Sequence, residues 1–286
     1  MKKILVTGAG GYIGRNVITK LLDMGADVLA ADILVEGIDS RAQTIKTDIF
    51  SGSKTIFQEL GTPDACLHMA WKDGFVHNSA AHMECLSKHY EFIRNMSAGG
   101  LKQIAIMGTM HEIGYYEGAV DENTPCNPIS MYGIAKDALR RSTFQMLKDT
   151  DVVWQWLRAY YIFGDDKRNH SIFTKIIQAE EEGKTEFPFN SGKNKYDFIT
   201  VGGLAKMLAA CVMQTEIIGI INCCSGKPVS LAEKVEDFLM ENNYKIKLKY
   251  GAFPDRPYDS PATWGDSTKI DKIMERSVED SYGTIK

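Results

Sequence analysis

Thr7-Gly8-Ala9-Gly10-Gly11-Tyr12-Ile13-Gly14 follows a strand-like run, Lys3–Thr7, and opens a helix-like one, Tyr12–Met24. A glycine motif carries meaning when it joins a strand to a helix. Here Gly8, Gly11 and Gly14 stand in G-x-x-G-x-x-G spacing. The first two permit a tight turn and close approach to a pyrophosphate, and the third lets helix and strand pack closely. The helix start at Tyr12 and Ile13 adds free amide donors and the positive end of a dipole. The stretch therefore reads as a dinucleotide site. About 20 residues on, Asp32 ends the next apolar run, where a carboxylate accepts bonds from the adenosine ribose and repels a 2′-phosphate. NAD is expected over NADP. Asp48-Ile49 is placed beside the adenine. His68-Met69-Ala70 is placed along the pyrophosphate and ribose, although His68 alone fits a satisfied core histidine as well.

Working outward, strand-like and helix-like runs alternate through the first 160 residues. The strand candidates are Lys3–Thr7, Asp27–Asp32, Thr44–Thr47, Ala65–His68, Gln103–Met107 and Val152–Leu157. Helices are expected near Tyr12–Met24, Ser53–Leu60, Asn78–Asn95 and Ser130–Lys148. Such alternation predicts βαβ units and a parallel sheet. Ile104-Ala105-Ile106-Met107 is apolar on both faces, as a sheet covered by helices requires. The fold class is thus α/β, a Rossmann-type doubly wound parallel sheet over residues 1–163. A smaller substrate lobe is expected over 164–286, interleaved, with segments near 196–224 returning to the first unit. In that second half, helices are expected at Ile172–Glu182, Leu204–Gln214 and Leu231–Asn242. Lys193–Ile199 reads as a strand or loop, and Ile218–Cys223 as a strand.

The 286 residues are 44% hydrophobic and 24% charged with net charge -4. That is ordinary globular composition, with no basic footprint for nucleic acid. No apolar run approaches the roughly 20 residues that span a bilayer. Met-Lys-Lys-Ile-Leu-Val-Thr-Gly is too short in its apolar part for a signal peptide, so a cytoplasmic protein is expected. Six cysteines show no C-x-x-C pair, which argues against a disulfide framework and a zinc site; no metal is expected. Cys223-Cys224 reads as part of a buried strand. His77, His82 and His89, spaced by five and seven, do not form a helical ligand pair and read as surface or interface histidines.

Tyr132 and Lys136, in Ser-Met-Tyr-Gly-Ile-Ala-Lys, carry the chemistry. A phenol is a poor acid or base at neutral pH, its reference pKa being about 10. Residues i and i+4 share a helix face, so an ammonium at Lys136 is expected to favour the Tyr132 phenolate and bring it nearer working pH.

Gly8, Gly11, Gly14, Asp32, Asp48, His68-Met69-Ala70, Thr109, Tyr132, Lys136 and Arg158, in this order, resemble the extended short-chain dehydrogenase/reductase family. More narrowly, they resemble its NAD-dependent epimerase/dehydratase group, which acts on nucleotide sugars. Later stretches match too. Ser171-Ile-Phe-Thr-Lys-Ile-Ile-Gln-Ala-Glu-Glu-Glu-Gly-Lys looks like the substrate-contacting helix, Tyr196-Asp197-Phe198-Ile199-Thr200-Val201 like the Arg-Asp-Phe-Val-x-Val segment, and Arg256-Pro257-Tyr258-Asp259 like the C-terminal Arg-x-x-Asp. The resemblance implies that Tyr132 exchanges a proton with a sugar hydroxyl or keto oxygen. It implies that Lys136 holds the nicotinamide ribose, that Thr109 positions the same oxygen, and that Arg256 meets the substrate's diphosphate; Arg158 fits a substrate contact and a buried ion pair equally well. It also implies a homodimer joined through Asn78–Asn95 and Ser130–Lys148.

Departures narrow the activity. Met110-His111 replace the Asp-Glu that dehydratases place after the threonine, so dehydration is not expected. Trp71 replaces a second alanine after His68-Met69-Ala70, and Gly202-Gly203 replace paired aspartates. His111 and His170 stand where the fucose-synthase branch keeps an epimerising cysteine and histidine. The expectation is an NAD-dependent oxidoreductase on a nucleotide-linked sugar, with 4-keto reduction or 4-hydroxyl oxidation leading. A 4-epimerase with retained NAD, an epimerase–reductase using His111 and His170, and a non-catalytic NAD-binding module are the alternatives.

Overall fold

The computed structural model describes residues 1–163, 171–255 and 259–281. Among them, one parallel sheet holds β1 (Lys3–Thr7), β2 (Asp27–Asp32), β3 (Gln43–Lys46), β4 (Ala65–His68), β5 (Gln103–Thr109), β6 (Val153–Ala159) and β7 (Gly219–Cys223). Their order in space is β3-β2-β1-β4-β5-β6-β7. The chain first builds outward from β1 to β3, then returns to lay β4 on the other side of β1. The crevice at such a reversal, outside the carboxyl ends of the strands, is where open α/β sheets bind ligands.

Side-chain alternation explains why helices cover both faces. In β1, Ile4 and Val6 enter one core with Val17, Ile18 and Leu21 of the helix Tyr12–Asp23 and Leu204 and Leu208 of the helix Val201–Met213. Leu5, pointing oppositely, enters a second core with Phe92, Ile93 and Met96 of the helix Leu86–Gly99, Leu139 of the helix Met131–Leu147, and Trp156 of β6. Each of these fully buried side chains stabilises the fold by roughly 1.5–3 kcal/mol. The doubly wound α/β architecture is thus written into a single three-residue run.

The rest of the chain is interleaved. Pro228–Ser230, Lys195–Thr200, Ala262–Gly265 and Gly118–Val120 lie side by side in a second sheet, and Tyr161–Phe163 pairs with Lys195–Thr200. Asp197, wholly buried, joins these pieces by accepting from the amides of Ser225, Gly226 and Gly265. A third core packs Phe173 and Ile176 against Phe189, Val235, Leu239 and Ile246. Leu204, Leu208, Ile270 and Ile273 bring two late helices back to the large sheet.

Two local expectations differ from what forms. Ser53–Leu60 yields only the short helix Ile56–Glu59, whereas Lys193–Ile199, read as a strand or loop, forms the strand Lys195–Thr200. The Asn78–Asn95 helix divides into Ala81–Glu84 and Leu86–Gly99 at Cys85.

The helices that begin at Met131, Ile172, Val201 and Leu231 each start on a serine or threonine whose oxygen caps a first-turn amide. The fingerprint helix starts on Gly11 with no side-chain cap, so its first-turn amides are left to an anion. Gly14 is pressed against the preceding turn, where an added Cβ would stand 2.2 Å from the Gly8 carbonyl oxygen. Overpacking against rigid backbone destabilises by roughly 1–3 kcal/mol. Gly14→Ala is therefore expected to lower Tm by several degrees and weaken NAD binding in calorimetry. An unchanged melting curve would contradict this packing.

Candidate active site

The fingerprint loop closes on the strand next door. Gly8 has φ +71°, and a Cβ there would lie 2.7 Å from the Ala70 nitrogen. Thr7 Oγ1 accepts from the amides of Met69 and Ala70 at 3.2 and 3.3 Å, so the end of β4 is fastened directly to the glycine turn. Gly10, outside the three-glycine spacing, is equally constrained: its Cβ would meet the Leu34 carbonyl at 2.0 Å. Its amide donates to Asp32 Oδ2 at 2.9 Å, and Leu34 N donates to Asp32 Oδ1 at 3.1 Å. Asp32 thereby joins the turn to the end of β2. Asp48 is exposed and accepts from the Phe50 amide, while Ile49 is buried. These free helix amides, the two close approaches and the placed carboxylate together fit a dinucleotide.

Across the sheet edge, Thr109 ends β5, and Tyr132 and Lys136 lie on the first two turns of the helix Met131–Leu147. The Thr109 side chain hydrogen-bonds the Tyr132 phenol. Lys136 Nζ donates to the Met107 carbonyl at 2.7 Å and sits 3.8 Å from the centre of the Trp71 ring. Lys136 is 3% exposed, and burial pulls its pKa down to about 7, with Glu112 opposing. The phenol shifts in the direction opposite to the sequence expectation. Burial pushes Tyr132 above its ordinary value, the Thr109 hydrogen bond pulls it back, and the ammonium, 5.9 Å from the ring centre, does not reverse the sign.

The histidines read as surface groups surround the site instead. His82 and His89 are each 1% exposed, and His77 is half-buried. His77 stacks on the Tyr132 ring at 5.7 Å and 14°, and His111 lies 4.3 Å from His77 and 6.1 Å from Tyr132. His68 does not face a cofactor: its ring is buried, with Nδ1 2.8 Å from Thr7 Oγ1 and Nε2 2.9 Å from His89 Nδ1. Since Thr7 Oγ1 already accepts two amides, its hydroxyl donates to His68, and His68 Nε2–H donates to His89. Met69 and Ala70 present backbone to Gly8.

Arg158 is also turned inward. It is wholly buried, 3.5 Å from Glu112 Oε2, and reaches Asn222 and the Asp121 carbonyl. It is a structural ion pair partner rather than a substrate ligand. Glu112 in turn accepts from the Thr109 amide at 2.7 Å and from Trp156 Nε1 at 2.9 Å. His170 and Arg256 lie outside the described residues.

Trp71, His77, His82 and Glu112 belong to the site without having been singled out for it. Of these, Trp71 carried a signal as a large ring where the family pattern has alanine, and His82 as an imidazole where the pattern has asparagine. Among the described residues no group of three or more His, Cys, Asp or Glu is placed to hold a metal, and no helix is long and apolar enough to cross a membrane.

The NAD dependent epimerase/dehydratase family model matches residues 4–224. The chain is 46% identical over 269 residues to the dTDP-6-deoxy-L-talose 4-dehydrogenase (NAD(+)) of Aggregatibacter actinomycetemcomitans, covering 92% of this chain and 98% of that one. Among solved structures, the UDP-glucuronic acid 4-epimerase of Bacillus cereus in complex with UDP-glucuronic acid and NAD superposes with a TM-score of 0.79 at 21% identity, covering 96% and 93% of the two chains. The UDP-glucose-4-epimerase of Stenotrophomonas maltophila with bound NAD and formylated UDP-arabinopyranose gives 0.83 at 17%, with the same coverage. The chain belongs to the NAD-dependent epimerase/dehydratase family.

Burial lowers the pKa of His68 to about 3 and of His111 to about 4, with Lys136 and His77 adding repulsion, and lowers His89 as well. Rings kept neutral in the fold but titrating near 6.5 when unfolded contribute stability above pH 6.5 that is lost as pH falls. Each withdraws about 1.4 kcal/mol per pH unit below that point. Tm is expected to decline between pH 7 and pH 5, while NMR shows the His68 and His111 rings neutral throughout. Either ring titrating above pH 5.5 would overturn this assignment.

Proposed function

We propose that this chain is an NAD-dependent oxidoreductase that interconverts a secondary hydroxyl and a ketone at carbon 4 of a nucleotide-linked sugar. The observation that carries the reading is the meeting of the Thr109 hydroxyl, the Tyr132 phenol and the Lys136 ammonium at the sheet edge beside the glycine turn. The 46% identical relative makes a dTDP-linked 6-deoxyhexose the first substrate to test.

Gly8, Gly11, Gly14 and the helix start at Tyr12 and Ile13 would hold the cofactor's pyrophosphate. Asp32 would accept from the adenosine ribose, Asp48 and Ile49 would flank the adenine, Met69 and Ala70 would border the ribose, and Lys136 would donate to the nicotinamide ribose. NAD held there would supply the hydride acceptor or donor for carbon 4. The protein's own task is the proton. Thr109 orients the sugar oxygen, and Tyr132 removes its proton in oxidation or returns one in reduction. A phenol raised by burial is protonated at neutral pH, which suits it to the reducing direction; oxidation requires added positive charge nearby, from Lys136 and the oxidised nicotinamide.

A net dehydrogenase is favoured over an epimerase by the relative just named. His111 is a weak base for epimerisation, since burial holds it near 4. The six free thiols suit the reducing cytoplasm. Met83, Ile134 and Phe144 are exposed on the helices Ala81–Glu84 and Met131–Leu147, and we assign that face to a homodimer.

Tyr132→Phe is expected to reduce turnover of a dTDP-6-deoxyhexose at least about 100-fold, followed by absorbance of reduced cofactor, with NAD affinity unchanged. Turnover intact in that variant would remove the assignment. Product inversion without net cofactor reduction would favour the epimerase. For the assembly, light scattering is expected to give a dimer mass for the native chain and a monomer mass for Phe144→Asp.

A further inference from the structure

We propose that Trp71 is a positioning residue for Lys136: the face of its indole, clamped by His82, holds the ammonium in its working place beside Tyr132. The inference rests on the oxidoreductase reading and concerns the same site.

A lysine ammonium on a flexible four-carbon stem has three donors and no preferred direction. At Lys136 one donor is taken by the Met107 carbonyl at 2.7 Å. One carbonyl leaves the ammonium free to swing about that bond. The Trp71 ring, with its centre 3.8 Å from Nζ, supplies the second restraint. Cations are attracted to the face of an indole more strongly than to other rings, and more so when water is excluded.

A ring positions a cation only if the ring is itself fixed, and Trp71 is fixed on two sides. Its Nε1–H donates to His82 Nδ1 at 3.0 Å, which leaves His82 Nε2 to carry the proton and donate to the Val76 carbonyl at 2.9 Å. Its plane stacks on His89 at 4.4 Å and 19°. His89 is hydrogen-bonded to His68, and His68 to Thr7 at the foot of the glycine turn. Lys136 is therefore located by a path of neutral rings that ends at the cofactor loop. Simple packing would require bulk at position 71. It would not require an indole N–H aimed at a histidine nitrogen, nor a ring face under an ammonium.

Two substitutions separate these roles. Trp71→Phe keeps an aromatic face and loses the N–H; Trp71→Leu keeps apolar bulk and loses the face. A misplaced catalytic group costs up to about 100-fold in rate. With saturating NAD and dTDP-6-deoxyhexose, Trp71→Leu is expected to lose roughly 30-fold or more in kcat with little change in the sugar-nucleotide KM. Trp71→Phe loses the His82 bond but keeps the aromatic stack on His89, and is expected to stay within about threefold of the native kcat. Equal kcat in the two variants overturns the proposal. Should Trp71→Leu fail to melt cooperatively, Trp71→Met takes its place, being apolar and less branched. Acylation of Lys136 by a small amine-selective reagent, read by mass spectrometry on the cofactor-free chain, provides a readout independent of substrate. Labelling is expected to rise several-fold in Trp71→Leu and not in Trp71→Phe. If that contrast holds while the native chain turns over no sugar nucleotide, the oxidoreductase reading fails and the positioning role stands. If native turnover is present and both contrasts vanish, the positioning role fails and the oxidoreductase reading stands.

Discussion

The ammonium of Lys136 lies under the carboxyl end of a parallel sheet, and the organisation around it follows from that burial. Its pKa of about 7 against an ordinary 10.5 corresponds to roughly 5 kcal/mol between protonation states. The Met107 carbonyl and the Trp71 ring give the ammonium directed contacts in place of water. The group is left poised near neutrality, responsive to small changes in local charge. That is the condition in which a neighbouring phenol can be tuned during a reaction rather than held permanently ionised.

Such poise is stable only if nearby groups do not titrate at the same pH. The rings of His68, His89 and His111 are held neutral by burial, aided by repulsion from Lys136 at His68 and His89 and from His77 at His111. They act as rigid polar spacers. The path from Thr7 through His68 and His89 to Trp71 ties the glycine turn to Lys136 with directed bonds and stacked rings. A displacement of the glycine turn would therefore be felt at the ammonium, although the two are separated by most of the first half of the chain.

The fold was legible because its signals are local and periodic. The glycine spacing, the Asp32 position and the both-face apolar strands each reflect a short-range constraint, and β1 shows the two cores in consecutive residues. The cofactor loop was legible for the same reason, except Gly10, whose need for a missing Cβ arises from Leu34 on another segment. Thr109, Tyr132 and Lys136 were legible as a pattern, but the sign of the Tyr132 shift was not. Spacing gives the neighbour; only packing gives the extent of desolvation. His77, His82 and His89 failed for a related reason. His77 precedes the helix Ala81–Glu84, so its approach to His82 is set by a turn and not by helical spacing, while residues seven apart stand two turns along one helix face. Arg158 was undecided in sequence because an anion-binding arginine and a buried ion pair have the same local signature.

That buried pair has its own place in the chemistry. Taking Glu112 and Arg158 out of water carries a penalty of several kcal/mol per ion, which pairing alone seldom outweighs. Here the carboxylate also accepts from the Thr109 amide and the Trp156 indole, and the guanidinium reaches Asn222 and the Asp121 carbonyl. Burial still pushes Glu112 above the usual carboxylate range, with Arg158 opposing. The Thr109 amide is thus fixed by a group locked between β6 and the turn that follows β5, and the Thr109 side chain meets Tyr132 from a backbone that has little freedom to move. The Thr109 hydroxyl is held through its backbone by electrostatics, while the Lys136 ammonium is held by an aromatic ring, so this edge of the sheet is preorganised by two independent sets of contacts.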